Sequence, residues 1–139
     1  MPLRHHSLVA WQRADDLFIS LHKLSLKAFP AFERYELAGQ MRRAAYSVPA
    51  NIAEGFARRY RRSRLHFLNI AEGSLAEVGY CLHAARRLGY ISDADFEKFD
   101  LQIRRVSAPL TGLIRAAHLL PIFSVAAGTA VVLLLLAMF

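Results

Sequence analysis

Residues 40–65 read QMRRAAYSVPANIAEGFARRYRRSRL, and this stretch decides the expected fold. On a helix that turns about 100° per residue, Met41, Ala44, Val48 and Ile52 fall on one apolar arc. Apolar residues at spacings of three and four predict a helix that packs one face into a core. Pro49 interrupts this run, so we expect either a kink there or two helices that meet end to end.

Three further segments carry the same helical periodicity, at about residues 7–28, at 63–88 and from 92 onward, and the second helix begins near residue 33. The interior has few glycines and no alternation of apolar and polar residues typical of strands. Short connections and one apolar stripe per helix therefore predict an all-α, antiparallel up-down-up-down four-helix bundle over residues 1–118.

Residues at the helix ends agree with this division. Ser7 can cap the first helix, Gly89 suits the C-terminal cap of the third, and Ser92 resembles an N-terminal cap for the fourth. Pro109 lies inside the fourth helix and is expected to bend it.

An apolar tail follows over residues 119–139, and no Asp, Glu, Lys or Arg occurs after Arg115. The segment from Ile122 to Phe139 would span about 27 Å as a helix, close to the ~30 Å of a bilayer core. It is therefore predicted either to insert as a C-terminal anchor in the inner membrane, with Arg115 on the cytoplasmic side, or to form a buried helix.

The charge balance favours anionic partners. The 139 residues carry a net charge of +7, with a pI near 10.2, and such a balance is typical of proteins that contact nucleic acid or a membrane surface. Cys81 is the only cysteine, so no disulfide can form within the chain. This, and an N-terminus without a signal-peptide core, predicts a cytoplasmic protein.

The densest positive charge consists of Arg58, Arg59, Arg61, Arg62 and Arg64, which surround Tyr60 at the junction of the second and third helices. Arginines neutralise phosphates and a tyrosine can stack on an unpaired base. We therefore predict a nucleic-acid-binding site here, with RNA favoured. The alternative is a solvated turn that keeps the bundle soluble.

A second candidate site is a polar stripe that runs beside the apolar arc of the second helix. Arg43, Ser47, Asn51 and Glu54 share one narrow arc. Hydrogen bonds among such residues would serve either a subunit interface or a polar network inside the bundle. The alternative is an ordinary surface stripe whose ion pairs contribute a few tenths of a kcal/mol.

Catalytic and metal-binding patterns are missing from the sequence. It has no Glu-x-x-His pair, no G-x-S-x-G elbow and no glycine-rich phosphate loop. Cys81 lies near the apolar seam of the third helix, as a small core residue would. We therefore expect a protein that is not an enzyme, with no metal site and no cofactor.

Several motifs in order resemble one known family: LVAWQRADDL at 8–17, FPAFERYEL at 29–37, QMRRAAYSVPANIAEGFARR at 40–59 and FLNIAEGSLAEVGYCLHAARRLGYIS at 67–92. This is the four-helix-bundle family whose founding members are encoded by intervening sequences in bacterial 23S ribosomal RNA genes. The resemblance implies an up-down bundle that assembles as a homopentamer. It also implies a structural relationship to the accessory variability protein of diversity-generating retroelements, a basic bundle oligomer that binds nucleic acid and partners a reverse transcriptase.

The resemblance identifies no catalytic residues. We therefore expect a homo-oligomeric scaffold that binds RNA or an RNA-processing partner. Two alternatives are a membrane-anchored interaction module and a passenger of a mobile or intervening element without a binding role.

Overall fold

The computed structural model describes the backbone of residues 3–136 and the side chains of residues 3–119. It contains four α-helices, which we label α1 (Val9–Ala28), α2 (Leu37–Ala57), α3 (Arg61–Arg87) and α4 (Asp93–Leu136). Short 3-10 turns at Arg4–Ser7 and Ala31–Glu33 precede α1 and α2. The described part of the chain has no strand, and the predicted all-α four-helix bundle is confirmed.

The helices pack in a ring: consecutive helices contact one another, and α1 also packs against α4. Contacts between α2 and α3 show that these two helices are antiparallel, because Gln40 bonds to Glu77 whereas Ser47, further along α2, bonds to the earlier Ser74. The complete up-down-up-down order stays a prediction.

The core consists of the apolar stripes that the helices turn towards one another. A fully buried leucine or isoleucine stabilises the fold by about 1.5–3 kcal/mol relative to its exposed state. The largest fully buried side chains come from all four helices and are Leu17, Leu21, Met41, Val48, Ile52, Leu68, Val78, Cys81, Leu82, Val106 and Leu110.

Two predicted helix ends are confirmed and one is wrong. Gly89 follows α3 with a φ of +76°, a conformation that glycine adopts without strain. The Asp95 N–H donates to the Ser92 hydroxyl over 3.1 Å at the start of α4. Ser7 does not cap α1, because its hydroxyl donates to the carbonyl of Arg4 within the preceding 3-10 turn.

The second helix begins four residues later than predicted, because Ala31–Glu33 forms a 3-10 turn. Glu33 still contributes to the start of α2, since its Oε2 accepts the Leu37 N–H at 2.9 Å. The helix then continues through the buried Pro49, so the prediction of two helices meeting end to end is wrong. Bends at Pro49 and Pro109 stay predictions.

The apolar tail at 119–139 has described side chains only at its first residue, so its insertion or burial lies outside what the structure describes. Among the described residues, no helix combines the length and the apolar character that a membrane crossing requires.

Candidate nucleic-acid interface

The predicted RNA-binding arginines lie where α2 turns directly into α3. We call residues 58–64 the arginine corner; only Arg58, Arg59 and Tyr60 separate the two helices. Gly55 permits this tight crossing, since a Cβ placed there would lie 3.3 Å from the Arg64 carbonyl oxygen. The two helices therefore approach each other closely at the base of the arginine corner.

Two of the five arginines take part in the packing of the corner itself. Arg58 pairs with Glu54 one turn earlier on α2, and its guanidinium lies 4.8 Å from the centre of the Phe67 ring. Arg64 is half-buried, lies 5.2 Å from the centre of the Phe56 ring, and donates to the Arg58 carbonyl over 3.2 Å. These contacts join α2 to α3 through cation–π interactions and a hydrogen bond.

The other three arginines extend into solvent. Arg59, Arg61 and Arg62 are exposed, and among the described side chains none of them has a hydrogen-bond or ion-pair partner. Tyr60 lies between them with 78% of its surface exposed. Within the described part of the chain, the corner thus combines three guanidinium groups that lack partners with one exposed aromatic ring.

The N-terminus of α3 adds to this positive field. Its cap residue, Tyr60, makes no side-chain hydrogen bond to the helix, and the first turn contains no acidic residue. The first N–H groups of a helix lack partners within it, and the helix dipole places partial positive charge there. Arg61 and Arg62 lie in that same turn, so their positive charges add to that of the helix dipole.

The predicted polar stripe on α2 faces α3 within the same chain. The hydroxyl groups of Ser47 and Ser74 are 2.8 Å apart. Asn51 donates from Nδ2 to the Ser47 carbonyl at 2.7 Å and to the Ser47 hydroxyl at 2.9 Å. These three side chains are half-buried and form a small polar cluster between the two helices.

Arg43 takes part in a second group at the edge of the same contact. It donates to Gln40 Oε1 over 2.7 Å, and Gln40 in turn donates to Glu77 of α3. Glu54, the fourth predicted residue, lies at the arginine corner and pairs with Arg58. The stripe therefore divides into three local groups, all of which contact residues of their own chain.

A groove between α1 and α4 has no counterpart in the sequence-based predictions. Its lining residues are Arg13, Asp16, Leu17, Gln102 and Arg105. The lining residues on α1 and those on α4 are almost ninety positions apart in the sequence, so local periodicity cannot reveal that they lie together. Only the packing of α1 against α4 brings these polar residues together.

Comparison with known proteins places the chain in a family. A crystal structure of a protein of unknown function from the S23 ribosomal protein family of Bacteroides thetaiotaomicron is similar, with a TM-score of 0.72 and 21% sequence identity. The match covers 77% of this chain and 96% of that chain, and at this identity it shows the fold alone. Comparison with curated proteins finds no match. The model of one family matches residues 6–112, and the chain belongs to the 23S rRNA-intervening sequence protein family.

Proposed function

We propose that the protein is a non-enzymatic, homo-oligomeric helical scaffold that binds nucleic acid, with RNA favoured, at the arginine corner. The observation that carries the proposal is a set of three exposed arginines, without partners among the described side chains, at a helix N-terminus whose cap residue makes no side-chain hydrogen bond. Phosphate groups would receive hydrogen bonds from the guanidinium groups and from the free N–H groups of α3. The expected compartment is the cytoplasm.

The roles within the corner differ. Arg59, Arg61 and Arg62 would contact the phosphates, and Tyr60 would stack on an unpaired base. Arg58 and Arg64 would hold the corner in shape, because their guanidinium groups already lie over the Phe67 and Phe56 rings. A stem-loop RNA suits this arrangement, since it presents backbone phosphates beside unstacked bases.

A titration with a stem-loop RNA at two salt concentrations tests the proposal. Binding is expected to be tight at 50 mM salt and to weaken steeply at 200 mM, because bound phosphates release counterions. Tyr60→Ala is expected to weaken binding about fivefold or more, the effect of one lost stacking contact. Tyr46→Ala is the control, since Tyr46 is also exposed but lies near the middle of α2. Absent binding at low salt, or binding that ignores salt, contradicts the proposal.

The proposed self-association is supported by a second surface, at the opposite end of α2. Here Tyr90, from the α3–α4 connection, donates to Glu33 over 2.9 Å and contacts the ring of Phe32, with ring centres 6.5 Å apart. Phe32 and Tyr35 are 72% and 77% exposed at this end. Exposed aromatic residues that gather at one place are typical of protein–protein contacts.

Light scattering tests this part independently of RNA. The native chain is expected to have a mass several times the 15.7 kDa of one protomer. Changing both Phe32 and Tyr35 to Ser is expected to reduce that mass, while Tyr60→Ser, at the arginine corner, leaves it unchanged. A native protein that is already a monomer, or a double variant of unchanged mass, rules out this surface. Assembly would repeat the corner and raise avidity for one long RNA.

The apolar sequence from Ile122 to Phe139 favours a second candidate, a membrane-anchored interaction module. The exposed arginines would then contact anionic lipid headgroups. Fractionation of cells that express the full chain separates the candidates. Recovery with membranes that resists high salt supports the anchor, and recovery in the supernatant contradicts it.

A further inference from the structure

The groove between α1 and α4 is open to solvent on one side and has a volume of about 430 Å³, enough for a nucleotide. α1 contributes Arg13, Asp16 and Leu17, and α4 contributes Gln102 and Arg105. Leu17 lies at the bottom of the groove but is only 1% exposed, whereas the other four lining residues are polar. Polar groups that converge on one cavity can fix the orientation of a bound ligand.

Several polar side-chain groups of the groove have no hydrogen-bond or ion-pair partner among the described residues. Gln102 Oε1 is buried and has no hydrogen-bond partner among the described residues. Within the same part of the chain, neither the Asp16 carboxylate nor the Arg105 guanidinium forms an ion pair. Arg13 donates from Nη1 to the Arg105 carbonyl over 2.8 Å, which holds its side chain across to α4. A buried acceptor without a donor is unfavourable, so a ligand that donates to it would be stabilised.

The ligand must therefore present donors and acceptors on different edges. Asp16 and Gln102 Oε1 accept hydrogen bonds, whereas the guanidinium groups of Arg13 and Arg105 only donate. Guanine meets both requirements, because its Watson–Crick edge carries two neighbouring N–H donors and its O6 and N7 are the acceptors that arginine prefers. Adenine offers one donor group beside an acceptor on the edge that would face the carboxylate.

We propose that this groove binds the base of a guanine nucleotide. Asp16 and Gln102 accept from the Watson–Crick edge, and Arg105 donates to the O6 and N7 edge. The guanine belongs either to a bound RNA or to a free nucleotide. For the RNA source this inference rests on the proposed function. The groove lies between α1 and α4 whereas the arginine corner joins α2 to α3, so the two sites can be changed separately.

Calorimetric titration of the full-length protein with GMP and with AMP tests the groove without RNA. GMP is expected to bind at least about tenfold more tightly than AMP, the discrimination that one well-formed bidentate contact gives. Asp16→Asn removes the carboxylate and is expected to abolish this preference. Asp15→Asn, one residue earlier on α1, is the control and is expected to keep it. Equal affinity for the two nucleotides, no binding of GMP, or a preference that survives Asp16→Asn overturns the inference.

Gln102→Leu distinguishes a binding role from a structural one. Removal of a buried acceptor that lacks a donor is expected to leave the melting temperature unchanged or raised, while the affinity for GMP falls about tenfold or more. Arg105→Gln is expected to weaken GMP binding as well, and Arg104→Gln, at the neighbouring exposed position, is not. If Gln102→Leu lowers the melting temperature and leaves GMP affinity unchanged, Gln102 is structural and the inference fails.

The two sources of guanine are separated with two single-stranded RNAs that differ only by one guanosine in place of adenosine. Tighter binding of the guanosine-containing strand, lost in Asp16→Asn, identifies RNA as the source; GMP binding without this difference identifies the free nucleotide. If RNA binds but neither GMP nor guanosine matters, the groove proposal fails while the proposed function stands. If GMP binds but no RNA does, the groove proposal stands and the proposed function fails.

Discussion

Gly55→Ala should reveal how closely α2 and α3 approach at the arginine corner. A Cβ at position 55 would lie 3.3 Å from the Arg64 carbonyl oxygen and 3.4 Å from the Cβ of Phe67. The first of these neighbours is backbone and cannot rotate away, so the helices must separate. In contrast, a Cβ at Gly73 or Gly112 would meet no described atom within 4 Å outside the adjoining backbone of its own helix.

The expected magnitudes follow from two opposing effects. Alanine is favoured over glycine in a helix by about 1 kcal/mol, which applies at all three positions. Overpacking of a close contact costs about 1–3 kcal/mol, which applies only at Gly55. Gly112→Ala should therefore raise the free energy of unfolding by about 1 kcal/mol. Gly55→Ala should leave it unchanged or lower it by up to about 2 kcal/mol.

Urea denaturation followed by circular dichroism measures the difference between the two variants. The protomer concentration must be held constant, because self-association makes apparent stability depend on it. We expect Gly55→Ala to be less stable than Gly112→Ala by about 1–3 kcal/mol, with unchanged m-values. If the two substitutions stabilise the protein equally, the close approach that fixes the arginine corner does not exist.

Three further predictions concern titratable groups. Burial raises the pKa of the Cys81 thiol, and the nearby Glu77 carboxylate raises it further. Iodoacetamide should therefore label Cys81 only when urea unfolds the protein. Rapid labelling of the native protein would contradict this expectation. Partial burial lowers the pKa of His5, which lies 5.0 Å from the Trp11 ring. Because the unfolded chain then binds more protons, the free energy of unfolding should fall slightly as the pH drops below about 6.5. His5→Gln should remove this dependence of stability on pH when unfolding is followed by fluorescence. Burial and the hydrogen bond to Glu33 raise the pKa of Tyr90. Because the unfolded chain then loses this proton at a lower pH than the folded chain, the free energy of unfolding should fall as the pH rises above about 10. The stability of the Tyr90→Phe variant should depend less on alkaline pH.

Much of the fold could be predicted because each helix carries its own apolar period. The sequence predicts Met41, Ala44, Val48 and Ile52 on the inner face of the second helix, and all four are buried. The helix starts were harder to predict. Ser7 is a good cap residue in isolation, but it forms part of a 3-10 turn whose hydrogen bonds compete with capping. Pro49 likewise interrupts a sequence pattern without ending the helix.

At the candidate sites, local sequence predicts some features, and others depend on how the helices pack. The exposure of Arg59, Arg61 and Arg62 follows from their place at a short connection, which local sequence reveals. The different role of Arg64 does not, because its contact with Phe56 depends on how closely two helices cross. The groove lined by Asp16 and Gln102 cannot be predicted from local sequence at all, since it forms only when α1 packs against α4.

The most direct test of the central claim compares two triple variants that lose the same charge. One changes Arg59, Arg61 and Arg62 to Gln; the other changes Arg87, Arg104 and Arg115 to Gln, and these three are also exposed. The measurement is the salt dependence of stem-loop RNA affinity for each variant. We predict that the corner variant loses most of its affinity for the RNA. Its slope of log affinity against log salt should be shallower by about 2, as expected for three lost phosphate contacts. The control variant should keep its affinity and its slope. Equal losses in the two variants would show that net charge alone attracts RNA and would contradict a defined site at the arginine corner.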